Sequence, residues 1–124
     1  MKLDEKLKNK YLSKKSMNFF KILYFFYQYL KSIKILRKRP LHSNWGIDLM
    51  AEDYFKNKKK GFFIDVGCHH PLLNNNTYIL YKKSWRGINI DLDFGAIDMF
   101  NFFRKGDVNI QAALSNSIGK KNLY

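Results

Sequence analysis

At positions 61–71 the chain reads GFFIDVGCHHP, and this stretch decides the fold. The apolar run Phe62–Val66, which follows Gly61, is typical of a strand buried on both faces of a parallel sheet. The run ends in a turn that contains Gly67, and a backbone without a Cβ atom lets a ligand approach closely. The stretch therefore predicts a strand with a binding turn at its carboxyl end.

The residues that follow alternate between helical and strand patterns. Helices are predicted over 77–83 and 95–105, and strands over 87–90 and 108–114. A further strand is predicted to begin at 121–124. Alternation of this kind predicts an α/β fold with a parallel sheet and right-handed crossovers.

A nucleoside-binding site is predicted where the first two strands end. Ligands of parallel sheets bind beyond the carboxyl ends of the strands, which places 65–71 beside 91–94. Asp91 ends the second strand, and a carboxylate there can accept both hydroxyls of a ribose. The further glycines that a pyrophosphate needs are replaced by His69 and Leu72. S-adenosylmethionine, which has no pyrophosphate, therefore fits better than a dinucleotide.

The second half of the chain also contains four short blocks in a characteristic order. They are GFFIDVGCHHP at 61–71, NTY at 76–78, WRGINID at 85–91 and ALS at 113–115. In order and spacing these blocks resemble the FkbM family of S-adenosylmethionine-dependent methyltransferases. The segment SNWGID at 43–48 resembles the S-Q-x-G-E-D segment of that family, and the resemblance covers about residues 41–124.

The resemblance implies a Rossmann-like class I methyltransferase fold and methyl transfer to a hydroxyl of a sugar or secondary metabolite. It also implies a cofactor site built from two turns and a helix start. The site residues are Asp65, Gly67, Cys68, His69, Asn76, Thr77, Asp91 and Leu92. By this resemblance Asp65, Gly67 and Cys68 line the methionine side of S-adenosylmethionine. Asp91 holds the ribose, and Leu92 packs near the adenine.

Several of these residues have simpler interpretations. Asp65 can cap the next helix, and Cys68 can be a small residue at a tight turn rather than a nucleophile. The adjacent His69 and His70 diverge, so they are expected to shape the mouth of the pocket, and no metal site is predicted. In the general methyltransferase pattern D-x-G-x-G-x-G, the second and third glycines correspond here to His69 and Pro71. The residues identify no catalytic base.

Residues 1–40 are predicted to form a basic helical arm. Residues 1–60 hold 16 bases and five acids, whereas 61–124 hold seven and five, so the arm carries most of the charge of +13. Residues 17–36 are predicted to form an amphipathic helix, whereas the lysine-rich residues before it suggest frayed helix or disorder. Its apolar face consists of Phe19, Ile22, Leu23, Phe26, Leu30 and Ile33. This face can pack on the chain's own domain or lie on anionic lipid.

The number of predicted strands suggests that the methyltransferase-like domain is incomplete. The chain supplies three strands and the start of a fourth, fewer than the fold needs. Residues 41–124 are therefore expected to be the N-terminal portion of a methyltransferase domain that is inactive alone. A non-enzymatic remnant, or a module for a membrane surface or polyanion, is the alternative.

The expected partners are a small-molecule or glycan substrate, with peripheral membrane contact through residues 17–36. Nucleic acid is disfavoured, because the aromatic residues lie on the apolar helix face, where packing explains them. The single cysteine, Cys68, fits a reducing compartment, so a cytoplasmic protein is expected. If the arm binds lipid, the protein is expected to associate with a membrane surface.

Overall fold

The computed structural model of the protein describes residues 17–38, 43 and 45–119. Its elements, in chain order, are α1 (Met17–Lys38), α2 (Ile47–Tyr54), β1 (Phe62–Val66), α3 (Tyr78–Lys82), β2 (Arg86–Asp91), α4 (Phe94–Phe103) and β3 (Val108–Gln111). The expectations for 1–16 and for a strand at 121–124 lie outside the described residues. None of the helices in the described part is long and apolar enough to cross a membrane.

The three strands form one parallel sheet in the order β1-β2-β3. Ile64 pairs with Ile88, and Ile88 pairs with Val108, so the strands run in register. A helix connects each strand to the next, which confirms the predicted α/β alternation and parallel sheet. The strand predicted over 108–114 is shorter than expected and ends at Gln111.

The sheet is covered on one face only. Crossovers between neighbouring parallel strands are right-handed as a rule, and this rule places both connecting helices on the same side. Phe63 and Asp65 are buried on this covered face, whereas Phe62, Ile64 and Val66 are exposed on the other. The prediction that β1 is buried on both faces is therefore wrong, because α3 and α4 lie together and leave the second face open.

The core consists of small clusters between the helices and the covered face. One cluster joins the sheet to α3 and is made of Phe63, Ile79, Leu80 and Trp85. A second joins the turn after β1 to α4 through Cys68, Ile97 and Phe100. A third joins α1 to α4 through Tyr24, Phe25 and Met99. Through Cys68, the second cluster fixes the turn after β1 from below.

Helix α1 packs on α4, although not with the predicted face. Phe25 is fully buried and contacts Phe102, and the Lys21 Nζ atom pairs with an Asp98 carboxylate oxygen at 2.7 Å. The predicted apolar face is mostly exposed; its exposed members are Phe19, Ile22, Leu23, Phe26 and Leu30. Packing of this face on the chain's own domain is therefore wrong, because α1 has apolar residues on both sides; that the face lies on anionic lipid stays a prediction. The ion pair and the aromatic contacts hold the opposite side against α4.

Candidate functional site

The turns after β1 and β2 lie side by side, as the sequence predicted. The Gly67 N–H group donates to the Ile90 carbonyl at 2.8 Å. The His69 N–H group donates to Oδ2 of Asp91 at 2.8 Å, and the Asp93 N–H group donates to Oδ1 at 2.9 Å. The Asp91 carboxylate is therefore fixed between the two turns, with one oxygen bonded to each.

The turn after β1 owes its shape to two residues with left-handed backbone conformations. Gly67 has φ 70°, and no atom lies within 4 Å of the position that a Cβ atom would take. His69 has φ 57°, a left-handed conformation that is energetically unfavourable for any residue with a side chain. This conformation accompanies the bond from the His69 N–H group to Asp91. The turn thus leaves space above its glycine and holds the carboxylate beside that space.

An open groove of about 310 Å³ lies at the carboxyl ends of the three strands. It is lined by Val66, Gly67, Ile90, Asp91, Leu92, Ala112, Ala113 and Leu114. The walls are apolar except for one carboxylate, that of Asp91. Apolar walls with a few placed polar groups are the usual composition of a small-molecule site. Of the eight predicted site residues, the groove brings together Gly67, Asp91 and Leu92.

Asp65 and Thr77 lie elsewhere, beneath the turn. Asp65 is buried on the covered face, where its Oδ2 accepts from the Thr77 hydroxyl at 2.7 Å. The same oxygen accepts from the Asn75 amide at 3.0 Å, and that amide also donates to the Cys68 carbonyl. These bonds tie the start of α3 to the end of β1. That the two residues contact a cofactor stays a prediction.

Arg104, at the end of α4, is the centre of this buried network. Its side chain is fully buried. The Nε and Nη2 atoms donate to the Pro71 carbonyl at 3.1 and 3.0 Å, and Nη1 donates to the Thr77 hydroxyl at 2.9 Å. Nη2 also donates to the Asn75 side-chain oxygen. The guanidinium group therefore holds the connection between β1 and α3 at three residues.

Burial also affects the charge state of Arg104. It lowers the pKa of the guanidinium group to about 10, although the carboxylates of Asp107 and Asp65 oppose this shift. The group is still a cation at neutral pH, with Asp107 Oδ2 at 3.9 Å from Nη1. Asp107 in turn accepts from the Gly87 N–H group and from the Asn89 amide. A buried charge with these partners is compensated rather than isolated.

Cys68 faces the interior rather than the groove. The side chain is 1% exposed and packs against Ile97 and Phe100. Burial, and then the charges of Asp65 and Asp91, raise the pKa of the thiol from 9.0 to about 12. The thiol is thus protonated at neutral pH, whereas a nucleophilic cysteine must form a thiolate. The geometry favours the interpretation of Cys68 as a small residue at a tight turn.

The remaining predicted residues lie at the border of the site. Asn76 is exposed and does not line the groove. His69 lines a separate cavity of about 120 Å³, together with Asp93 and with Tyr24 and Gln28 of α1. In the described part of the chain, no three His, Cys, Asp or Glu side chains lie close enough to hold a metal ion.

The sequence reasoning missed Arg104, Asn75 and Asp107. A charged residue directly after a helix is usually a surface residue, and an asparagine just before a helix usually serves as a cap. One signal was available, since the nearly neutral residues 61–124 contain only two arginines, Arg86 and Arg104. An arginine between apolar helix and sheet residues can mark a buried polar network.

Comparisons with protein-family models, with curated proteins and with solved structures find no match for this chain. The groove can accept an apolar ring between its walls and a pair of hydroxyls at Asp91. Among its described lining residues, Asp91 is the one titratable side chain.

Proposed function

We propose that the chain is part of an S-adenosylmethionine-dependent methyltransferase that transfers a methyl group to a hydroxyl of a sugar or secondary metabolite. The observation that supports this proposal is the placement of Asp91. Its carboxylate ends β2, is held by backbone N–H groups of both turns and borders an apolar groove. A nucleoside without a pyrophosphate is the cofactor class that such a groove suits.

Asp91 has the capacity to bind a ribose. Each of its oxygens accepts one backbone N–H group, and a carboxylate oxygen has two acceptor positions. One position on each oxygen is then available for a neighbouring hydroxyl of the ribose. Charge-assisted bonds of this kind are stronger than neutral ones, so this residue carries most of the expected specificity.

The other lining residues suit the rest of the cofactor. Leu92, Leu114 and the two alanines offer apolar contact to an adenine ring. Gly67 leaves the approach to the turn open, because no Cβ atom projects from it. When bound, S-adenosylmethionine supplies an electrophilic methyl group. The groove residues of this chain bind and orient the cofactor. Asp65, Thr77 and Arg104 position the turn after β1 from below.

The open face of the sheet supports the expectation that further polypeptide completes the domain. Ile64, Val66 and Val108 are at least half exposed on this face, and stable sheets bury such residues. Within the proposal, the substrate site and the base that accepts the hydroxyl proton belong to that additional polypeptide. The described residues alone are then expected to bind the cofactor without transferring its methyl group.

Calorimetric titration of S-adenosylmethionine into the chain tests the proposal, with Asp91→Asn compared with the parent. Loss of the charged acceptor should weaken binding by about 30–100-fold, or about 2–3 kcal/mol. Asp53→Asn, which removes an exposed carboxylate of α2, is the control and should leave the affinity unchanged. No binding by the parent would contradict the methyltransferase proposal and favour the non-enzymatic alternative.

A second titration separates the role of Asp91 from an effect on folding. The probe is 5′-methylthioadenosine, compared with its 2′,3′-dideoxy analogue. The parent should prefer the hydroxylated ligand, whereas Asp91→Asn should bind both ligands more equally. An unchanged preference in the variant would show that the ribose is held elsewhere.

A further inference from the structure

Helix α1 carries an exposed apolar surface on the side that faces away from the domain. We call this surface the outer stripe; its residues are Phe19, Ile22, Leu23, Phe26, Tyr29 and Leu30. Their exposed fractions run from 38% to 67%, so the contacts with α4 leave the stripe uncovered. Apolar patches of this kind are uncommon on isolated soluble proteins and usually mark an interaction surface.

The outer stripe continues into an apolar groove beside α4. The groove has a volume of about 260 Å³. It is lined by Ile22, Phe25, Phe26, Tyr29, Phe102 and Phe103. Phe102 is 44% exposed and widens the apolar surface beyond α1. The surface is therefore broader than one helix face, and five of its six lining residues are aromatic.

Cations border this surface. Helix α1 contains five basic residues and no acidic residue. Lys34, Arg37 and Lys38 are exposed near its C-terminal end. At about 100° per residue, Arg37 follows the line of the outer stripe and Lys34 lies at its edge. The charges that α1 places next to the apolar surface are thus of one sign, and the Asp98 carboxylate of α4 is paired with Lys21.

We propose that the outer stripe lies on an anionic lipid surface, with its aromatic side chains in the interface and its bases at the headgroups. Helices with an apolar stripe and a cationic border bind membranes by apolar burial together with attraction to anionic lipid. The charge of the stripe's border complements such a surface. This inference concerns α1 and is independent of the proposed methyltransferase function.

Two other occupants of the outer stripe fit the charges less well. Residues 1–16 hold six lysines and two acids, so covering the stripe with them would bring like charges together. A second copy of α1 would do the same, since the helix has no acid to pair with Arg37 or Lys38. An anionic lipid surface is the occupant that offers both an apolar interior and the opposite charge.

Vesicle flotation tests the electrostatic part of the proposal. The full chain is synthesised in a cell-free system with vesicles of phosphatidylcholine, either pure or with phosphatidylserine, and binding is measured as the fraction that floats. We expect flotation with the anionic vesicles and little with the neutral ones. Arg37→Ser/Lys38→Ser should lower the partition coefficient on the order of 25-fold, since each base near the surface contributes on the order of fivefold.

Matched variants separate a local effect from a general loss of charge or of apolar surface. Lys59→Ser/Lys60→Ser removes two exposed lysines before β1 and should leave flotation unchanged. Phe26→Ser should release the chain, whereas Phe62→Ser should not; Phe26 is 58% exposed and Phe62 is 63% exposed. In Phe26→Trp, brominated lipid should quench the added fluorescence, which reports insertion into the interface.

Three outcomes would overturn the proposal. The first is a parent chain that does not float with anionic vesicles, or that floats equally with both kinds. The second is binding that appears only after deletion of residues 1–16, which would mean that this segment covers the stripe. The third is a parent chain that does not bind vesicles but forms a dimer, which Phe26→Ser dissociates. That result would assign the outer stripe to a second copy of the chain.

Discussion

The two faces of the sheet are made by the same three strands and differ in almost every other property. The covered face buries polar groups, including Asp65 and Asn89, and lies against the guanidinium group of Arg104. The open face exposes apolar residues such as Ile64 and Val108. The covered face thus buries polar side chains beside the apolar ring of Phe63, while apolar side chains are exposed on the open face.

This difference shows that strand topology, rather than hydrophobicity, decides which face is buried. With strand order β1-β2-β3 and right-handed crossovers, both α3 and α4 lie on one side, whatever side chains that side carries. Polar groups on the covered face then need partners, and the Thr77 hydroxyl, which accepts from Arg104, donates to the buried Asp65 carboxylate. The apolar residues of the open face need no hydrogen-bond partners, and their burial would require another element to cover that face.

The largest expected effect tests the polar network of the covered face. Arg104→Met keeps the length of the side chain but leaves Asp65 and Thr77 without their buried cation. We expect the free energy of unfolding to fall by about 4 kcal/mol, because breaking a buried ionic network leaves an uncompensated charge. Urea denaturation followed by circular dichroism measures this loss.

Arg86→Met is the control for Arg104→Met. Arg86 is exposed and stacks over the ring of Tyr81, so its removal should cost less than about 1 kcal/mol. Equal losses in the two variants would contradict the central role of Arg104.

A smaller effect compares the two faces at neighbouring residues of β1. Phe63→Ala removes a ring that packs on Ile79, Leu80 and Trp85, and should cost about 3 kcal/mol. Phe62→Ala, on the open face, should cost less than about 1 kcal/mol, which reflects strand propensity alone. Denaturant midpoints of the two variants measure the difference. A large loss for Phe62→Ala would show that the open face is covered in solution.

The last comparison of the two faces uses the rate at which a cysteine thiol reacts, which requires no change in the free energy of unfolding. Cys68 should react with iodoacetamide at pH 8 about 1,000-fold more slowly than an ordinary thiol, because burial raises the pKa of its thiol to about 12. Ile64→Cys in a Cys68→Ala background places the thiol on the open face, where it should react at the ordinary rate. Mass spectrometry follows both reactions, and protection of the thiol at position 64 would again mean a covered face.

The same thiol predicts how stability depends on pH. The folded-state pKa is raised, so the unfolded chain releases the proton first, and stability falls as the pH rises from 9 to 12. Cys68→Ala should remove this part of the alkaline loss. An unchanged pH profile in that variant would contradict the buried placement of the thiol.

Much of the fold was predictable because it depends on local pattern. The bounds of β1 match the apolar run Phe62–Val66, and the helix predicted over 77–83 appears as Tyr78–Lys82. The position of Asp91 beside the first turn followed from parallel strand order alone. In these places the local pattern, together with the order of the strands, already determines where a residue lies.

The rest depended on contacts between distant residues. Periodicity could not identify the buried side of α1, because Phe25 and Phe26 are equally apolar and only contact with α4 distinguishes them. It could not predict the burial of Arg104, since the partners of that residue come from the turn and from α3. The cofactor contacts implied for Asp65 and Cys68 are still predictions, and the structure gives both residues buried surroundings.

The sequence distance spanned by Arg104 has a consequence for the order of folding. Its bonds join it to Thr77, 27 residues away, and to Pro71, 33 residues away. Two crossovers must therefore dock before the guanidinium group can meet its partners. We expect contacts that need both crossovers to be largely absent from the transition state, so their loss should change the unfolding rate more than the folding rate. Arg104→Met is therefore predicted to speed the opening of the turn after β1, which stopped-flow unfolding kinetics would measure.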